Sequence, residues 1–561
     1  MVFGKLISRF QKKSDHPLGS DENLEVLLAE IPQREPGYLL MDVDQWLAEM
    51  PTHVEEIGAA QALTALIRLD QFSREAADEL LKRYLGAGRR EFMSDAAWMT
   101  LNAHASHLLN CYTAALQALA HAAESSADKN RMARSAVCAL RAWALGKKLQ
   151  RFRYRASAPE HWQAAHDLMR LLARCNLLQA SVVAYRGEQE MSALTEYLVG
   201  VYLEMLPLGN LVAQQIEFID NFLRYSGVLE LTQEPHAHSS FQIDIAGAKP
   251  PQRRSADATG HAAMRYCSTA RLRALLMKLA AQIKRQEAVP EWVRNVPAEV
   301  DQIEAAILLL ILAWAPAPPQ RQSERVRQEN SLKVIFGFGM VRRMIAASNF
   351  ARLGRTLDYE GTDFDSLFEA NRFGRVRIES QAEAEVEESK PKVDPLAILE
   401  KLELAGDKAQ METWRQLDCS ATGLGAACPI LLARHRIGVL VGFRYRDAID
   451  WRIAIMRRIG RDEANRPSIG LETLTWPAIC AQAKPVGASN VWVDKADAGH
   501  DGWSDAIIVS LETSEVILPS GLFAAGLEVE LRSQAGFWRV QFKSLLNRGD
   551  DYDHVEFFRV A

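Results

Sequence analysis

Residues 437–460 read IGVLVGFRYRDAIDWRIAIMRRIG. Ile437, Val439, Val441 and Phe443 alternate with Gly438, Leu440, Gly442 and Arg444. A few residues on, Trp451, Ile453 and Ile455 alternate with Arg452 and Ala454. A period of two is the signature of a strand, whose successive side chains face opposite ways. Strand character then persists almost to the end of the chain. Further candidates are Ser468–Leu474, Ala478–Lys484, Ala506–Leu511, Glu515–Leu518, Leu527–Arg532, Phe537–Phe542 and Val555–Val560. Short strands at this spacing imply an antiparallel barrel or sandwich. There are more of them than one small barrel needs, so two successive barrels are expected, dividing near Pro485 to Asp501.

Upstream, Leu332, Val334 and Phe336 alternate with Lys333 and Ile335 and make an earlier strand. Helical character follows at Val341–Leu353. The acidic, alanine-rich run QAEAEVEESKPKVDP, Gln381 to Pro395, reads as a solvated linker. The clearest boundary is APAPPQ, Ala315 to Gln320, whose prolines stop a helix and favour extended chain.

Before that boundary the composition is rich in Ala, Leu, Glu and Arg, which favours helices. Ser157-Ala-Pro-Glu160 marks one helix start, with Ser157 as cap and Glu160 reaching back in a capping box. Trp162, Ala165, Met169 and Leu172 then recur at helical spacing, as do Val137, Leu140 and Ala144. No fixed repeat length emerges. Between Ser226 and Gly260, Phe241, Ile243 and Ile245 alternate with polar residues and suggest a short strand or extended loop. AAILLLILAWA, Ala305 to Ala315, falls well short of the roughly 20 residues a spanning helix needs, and reads as a buried core helix.

The expected architecture is multidomain α + β. Residues 1–20 form a flexible N-terminus and 21–315 an all-helical domain. Residues 316–485 form an antiparallel barrel with an insertion at about 339–410, and 486–561 a second small β-barrel. Net charge is −5, from 66 basic and 71 acidic side chains, so nothing global draws the chain to nucleic acid. The N-terminal MVFGKLISRFQKKSDH is too interrupted by charge to be a secretory signal. Seven scattered cysteines without a CxxC argue against disulfides or zinc, and the default compartment is cytoplasmic.

Two motifs stand together in the β region. Arg321-Gln-Ser-Glu-Arg325 is an RxxxR just before the first strand. Asp418-Cys-Ser420-Ala-Thr-Gly423 is a DxSxxG closing a later one. Ser468-Ile-Gly470-Leu471-Glu472 follows the strand that ends near Arg458. Arginine can chelate a phosphate, or the O6/N7 edge of guanine, through two parallel hydrogen bonds. Asp418 and Ser420, two apart on a strand, face the same way. A carboxylate there can accept from guanine N1–H and N2–H₂, and Gly423 allows a close backbone approach.

In this order the three elements resemble the PilZ family of bacterial cyclic-di-GMP receptors. The resemblance covers roughly Arg321 to Lys484 and implies a PilZ-like β-barrel whose ligand is held by Arg321, Arg325, Asp418, Ser420 and Gly423. It departs from the family in placing 93 positions between Arg325 and Asp418. That is the insertion at about 339–410, tolerable because loop-closure cost grows slowly with length. Arg327 and Arg415 are alternative arginines.

Other signals read as structural. Gly337-Phe-Gly339 is a strand-to-helix turn, with Arg342 where a dinucleotide fingerprint needs glycine. His236-Ala-His238 is a polar loop, and no metal site is expected. Lys147, Lys148, Arg151, Arg153 and Arg155, with Phe152 and Tyr154, suit a helix C-terminus, the alternative being a surface for nucleic acid or another acidic partner. No nucleophile motif or P-loop is present, which favours a binding protein over an enzyme. The expected function is a cyclic-di-GMP-binding signalling effector without other cofactor, relaying to an unidentified protein partner through the helical domain. Homo-oligomerisation is left open. The alternative is a degenerate PilZ-like scaffold that binds proteins and no nucleotide.

Overall fold

The structure is a computed structural model that describes residues 16–560 apart from 33, 87–94, 121–125, 208, 255–259, 318–323, 353–393, 405–410, 462–465, 475–476, 488–501 and 534. The chain divides into two compact units, Met1–Gln320 and Arg321–Ala561.

The first unit is mainly helical. Its helices are α1 (Asp21–Glu30), α2 (Pro36–Ile57), α3 (Ala59–Gly86), α4 (Asp95–Ala120), α5 (Ser126–Phe152) and α6 (Pro159–Arg174). A hairpin of β1 (Ser181–Val183) and β2 (Glu190–Ser192) precedes α7 (Ala193–Glu204) and α8 (Ala213–Ser226). A small antiparallel sheet of β3 (Ser239–Asp244), β4 (Gln252–Arg253) and β5 (Met264–Ser268) follows, containing the alternation seen at Phe241 and Ile243. The unit closes with α9 (Ala270–Lys284), α10 (Glu291–Arg294) and α11 (Val300–Ala313).

Helical spacing on α6 does what the sequence implies: Trp162, Ala165, Met169 and Leu172 are all buried. Its start differs. Ala158 is the N-cap, Pro159 opens the helix where a missing N–H costs nothing, and the Ser157 hydroxyl donates to Glu204 Oε2 at 3.1 Å. α11 is only half a core helix, since Ile303, Ala306, Ile307 and Leu310 are buried while Leu308 and Leu312 are exposed.

The second unit holds two closed six-stranded antiparallel barrels. The first is built from β6 (Val326–Arg327), β7 (Ser331–Phe336), β8 (Glu412–Ser420), β9 (Gly423–Ala427), β10 (Leu440–Tyr445), β11 (Arg452–Arg461) and β12 (Pro467–Thr473). The order β8-β7-β10-β11-β12-β9 closes by β9 pairing β8, and the short β6 adds to the β8 edge. Helices α12 (Phe338–Arg352) and α13 (Pro395–Leu404) lie in sequence between β7 and β8. The acidic run read as a linker falls almost wholly outside the described residues. β10 starts later than the alternation suggests, because Gly438 takes a left-handed φ of 85° that ends the extended run.

The second barrel comprises β13 (Ile479–Pro485), β14 (Ser504–Ser510), β15 (Glu515–Pro519), β16 (Glu528–Ser533), β17 (Gly536–Arg548) and β18 (Tyr552–Arg559). It closes as β13-β14-β15-β18-β17-β16. Ala481 of β13 pairs both Ala506 and Ser533, so this barrel begins at Ile479 and not after Pro485. Closure removes the open edges that a flat sheet would leave, apart from the two-residue β6, which pairs only β8 among the described strands.

The barrels share one core. Ile335, Val341, Ile345 and Ile453 of the first pack with Ile507, Ile517 and Tyr552 of the second. Tyr552 Oη donates to the Gly438 carbonyl at 2.9 Å. Asp551 caps α12, its Oδ2 accepting from the Phe338 N–H at 2.6 Å. Gly337, with φ of 86°, makes the turn into that helix. Outside the barrel, Arg444 and Lys333 hold α13 through Glu403, with the fully buried Arg444 guanidinium at 2.5 and 2.8 Å from the carboxylate and Lys333 Nζ at 2.8 Å.

Candidate functional site

Strand pairing assembles the two motifs. β8 carries Asp418 and Ser420, and β6 lies antiparallel to it, with Val326 opposite Cys419 and Arg327 opposite Asp418. Arg325, one residue before β6, is thereby delivered to Asp418. Its Nη1 donates to both carboxylate oxygens, at 2.9 and 3.0 Å. The pair is partly exposed, 38% at Arg325 and 26% at Asp418. Arg321 lies outside the described residues. Arg327 is exposed beside the pair, while Arg415 is turned to Glu329 at 3.5 Å.

Ser420 and Gly423 are paired to each other where β8 turns into β9, and Ser420 Oγ donates to the Gly423 carbonyl at 3.4 Å. Gly423 is a strand residue rather than a turn residue. A Cβ there would sit 2.9 Å from the Leu471 carbonyl oxygen, so glycine is what lets β12 press against β9. Two further glycines continue the surface. Asp418 pairs Gly425, Gly425 pairs Gly470, and Gly470 pairs Arg458. This row lies on the outer face, because the residues flanking its other three members, Leu424, Ala426, Ile469, Leu471 and Ile459, are buried inward, and a register shift after the buried Gln416 separates its face from that of Asp418. The outcome is a shallow, glycine-floored strip with an acid and arginines at its rim, suited to a flat, polar, anionic ligand.

The basic, aromatic run at the end of α5 is interior. Lys148 Nζ donates to Asp220 and contacts Glu217, both at 2.8 Å. Arg151 bonds Glu204 at 3.0 Å, and Arg153 bonds Asp95 at 2.7 Å. Lys147 is 2% exposed, with Nζ 3.7 Å above the Trp162 ring and 3.9 Å from Glu204. Burial pushes its ammonium down to about 7, Glu204 opposing and Arg151 adding to the effect. Lys147, Lys148 and Arg151 are committed to the packing of α5 against α7 and α8, and Arg153 reaches the start of α4.

Residues 22–235 match the family model described as the N-terminal domain of the cyclic-di-GMP receptor FimW. The matched segment runs from the first turn of α1 past the end of α8. It stops well before the barrels and says nothing of them. No curated protein and no solved structure matches the chain.

Within the matched segment, one arrangement escaped the sequence reading. Ser73 Oγ lies 3.1 Å from His104 Nε2, and His104 Nδ1 lies 2.6 Å from Asp44 Oδ1. The order resembles a nucleophile, base and orienting acid. Yet Ser73, His104 and Asp44 are all buried, and Ser73 also bonds the Asp70 carbonyl at 3.1 Å. The chain of bonds ties α2, α3 and α4 together and presents no hydroxyl to a substrate. An open cleft of about 560 Å³ lies beside Arg74 and Tyr185. Glu75, Asp78, Glu79 and Glu188 there outnumber Arg74, Lys82 and Arg186, which disfavours an anionic ligand.

Among the described residues no group of three His, Cys, Asp or Glu could hold a metal, and no helix is long and apolar enough to cross a membrane. All seven cysteines are free.

Proposed function

We propose that the chain is a cyclic-di-GMP-binding signalling effector whose ligand sits on the outer face of the first barrel. Arg325, with Arg321 from the lead, grips phosphate or guanine, Asp418 accepts from a guanine N1–H and N2–H₂, and Ser420 and Gly423 shape the strand side. The observation that carries this reading is the convergence of Arg325 and Asp418 on one exposed face from positions 93 residues apart. The match of residues 22–235 to the N-terminal domain of a cyclic-di-GMP receptor supports it independently.

In the absence of ligand the two groups satisfy each other. A partly exposed ion pair is worth only about 0–1 kcal/mol, so a ligand offering two phosphates and a guanine edge can replace it at small cost. The helical unit is the part that hands the signal to a protein partner. Free cysteines fit a reducing cytoplasm. No catalytic step is assigned. Anisotropy of fluorescent cyclic-di-GMP with the full-length chain and with Arg325→Ala tests the site. Equal affinity in the two proteins would overturn it.

A further inference from the structure

We propose that Arg458 is a further arginine of this ligand site, holding the second guanine of the cyclic dinucleotide and selecting it against mononucleotides; the proposal rests on the reading of the barrel face given above.

The placement comes from register. Asp418, Gly425, Gly470 and Arg458 occupy one row across four neighbouring strands, β8, β9, β12 and β11. Side chains paired in this way share a face. Contacts over the two glycines agree. The position a Cβ would take on Gly425 lies 2.6 and 3.2 Å from the Asp418 carboxylate oxygens. The corresponding position on Gly470 lies 3.1 Å from Arg458 Cβ and 3.9 Å from its Cδ. The acid therefore covers one glycine and the arginine stem runs along the other, from opposite ends of the strip.

A β-bulge makes this possible. The register slips between Met456 and Arg458, which breaks the in–out alternation and leaves Arg457 and Arg458 both exposed. Bulges re-aim side chains in this way and recur beside functional sites. The two arginines then part company. Arg457 is held by Glu472 at 2.5 Å, on the next strand. Arg458 makes no ion pair or hydrogen bond with the described residues, although it stands on a barrel face where nearby arginines are paired.

Spacing sets what such an arginine can reach. Three inter-strand steps of roughly 4.8 Å put about 14 Å between the backbones of Asp418 and Arg458. A single guanine held by its N1/N2 edge at Asp418 leaves Arg458 without a partner. A cyclic dinucleotide laid along the glycine strip presents a second guanine, whose O6 and N7 a guanidinium can take as a bidentate pair. Nothing but hydrogen projects from Gly425 and Gly470 to hold the ligand off the strands.

The test is equilibrium binding of cyclic-di-GMP and of cyclic GMP to full-length wild type, Arg458→Ala, Arg457→Ala and Arg325→Ala, with thermal melts to confirm folding. Arg458 is exposed, so its variant is expected to melt with the wild type. Expected is a loss of about tenfold or more in cyclic-di-GMP affinity for Arg458→Ala, as for a charge-assisted hydrogen-bonded pair, with Arg457→Ala near wild type and cyclic GMP competition unchanged. Wild-type affinity in Arg458→Ala, while Arg325→Ala loses binding, overturns this inference alone. Equal losses in Arg457→Ala and Arg458→Ala overturn it too, since they indicate a diffuse charge effect. No binding by wild type overturns both this inference and the receptor reading.

Discussion

Arg325 and Asp418 stand 93 residues apart in the chain and meet as an ion pair, one guanidinium nitrogen lying 2.9 and 3.0 Å from the two carboxylate oxygens. The meeting depends on only two residues of pairing, Val326 with Cys419 and Arg327 with Asp418. Between β6 and β8 the described residues form β7, which also pairs β8, and helices α12 and α13.

Both members of the pair are partly exposed, so their weight should fall on binding and not on folding. Arg325→Ala and Asp418→Asn are each expected to weaken cyclic-di-GMP binding by about tenfold to a hundredfold, with stability changed by less than about 1 kcal/mol. Titration of ligand alongside urea denaturation separates the two effects.

Gly423 makes the opposite expectation. A methyl group there meets the Leu471 carbonyl, a backbone atom that cannot step aside. Gly423→Ala should cost about 1–3 kcal/mol of barrel stability by overpacking, read as a lower denaturation midpoint of the second unit.

Glu403 binds α13 to the first barrel. Burial alone would raise its pKa, but hydrogen bonds and charge from Arg444 and Lys333 outweigh that and hold the carboxyl below the ordinary glutamate value of 4.5. A depressed carboxylate contributes stability that is present above its unfolded pKa and is lost as pH falls through the folded one. Glu403→Ala is therefore expected to destabilise by about 3–5 kcal/mol at neutral pH, because it leaves a buried guanidinium unpaired. The gap between wild type and variant should shrink as pH falls below the ordinary glutamate value of 4.5, where wild type loses the same interaction. Denaturation series at both pH values check this.

Lys147 carries a penalty that depends on pH. Its ammonium is pushed down to about 7. Between that value and the ordinary lysine value of 10.5 the unfolded chain binds more protons, so this group's contribution to stability rises with pH across that window. Below about pH 7 the cost of burying the charge is present in full. Lys147→Met should raise the melting temperature of the helical unit at pH 6 and raise it less at pH 10. A larger gain at pH 10 would contradict the assignment.

How much of this could be read from the chain depended on whether the determinant was local. Alternation at 437–460 is local, and it marked β10 and β11. Helical spacing at Trp162, Ala165, Met169 and Leu172 marked the buried face of α6. Allegiance is not local. Ala478–Lys484 alternates the same way whichever barrel it joins, and only the pairings of Ala481 with Ala506 and Ser533 assign it to the second.

The same distinction governs the sites. Asp418, Ser420 and Gly423 form a short motif, visible as such. The run Lys147–Arg155 reads from the sequence as a helix C-terminus whose cations complement the dipole, because the carboxylates that pair Lys147, Lys148 and Arg151 sit on other helices, at Glu204, Glu217 and Asp220. Arg458 was missed because a bulge decides which way it points. Two successive arginines, interrupting the alternation after Ile455, were the available signal.

The most direct test of the receptor reading is calorimetric titration of folded, full-length protein with cyclic-di-GMP, with GTP and cyclic GMP as controls. Saturable, selective binding that Arg325→Ala weakens by about tenfold to a hundredfold is the expected result. No heat and no competition from folded protein would contradict it, leaving the barrels as a scaffold for protein contacts and the function to be sought in the helical unit.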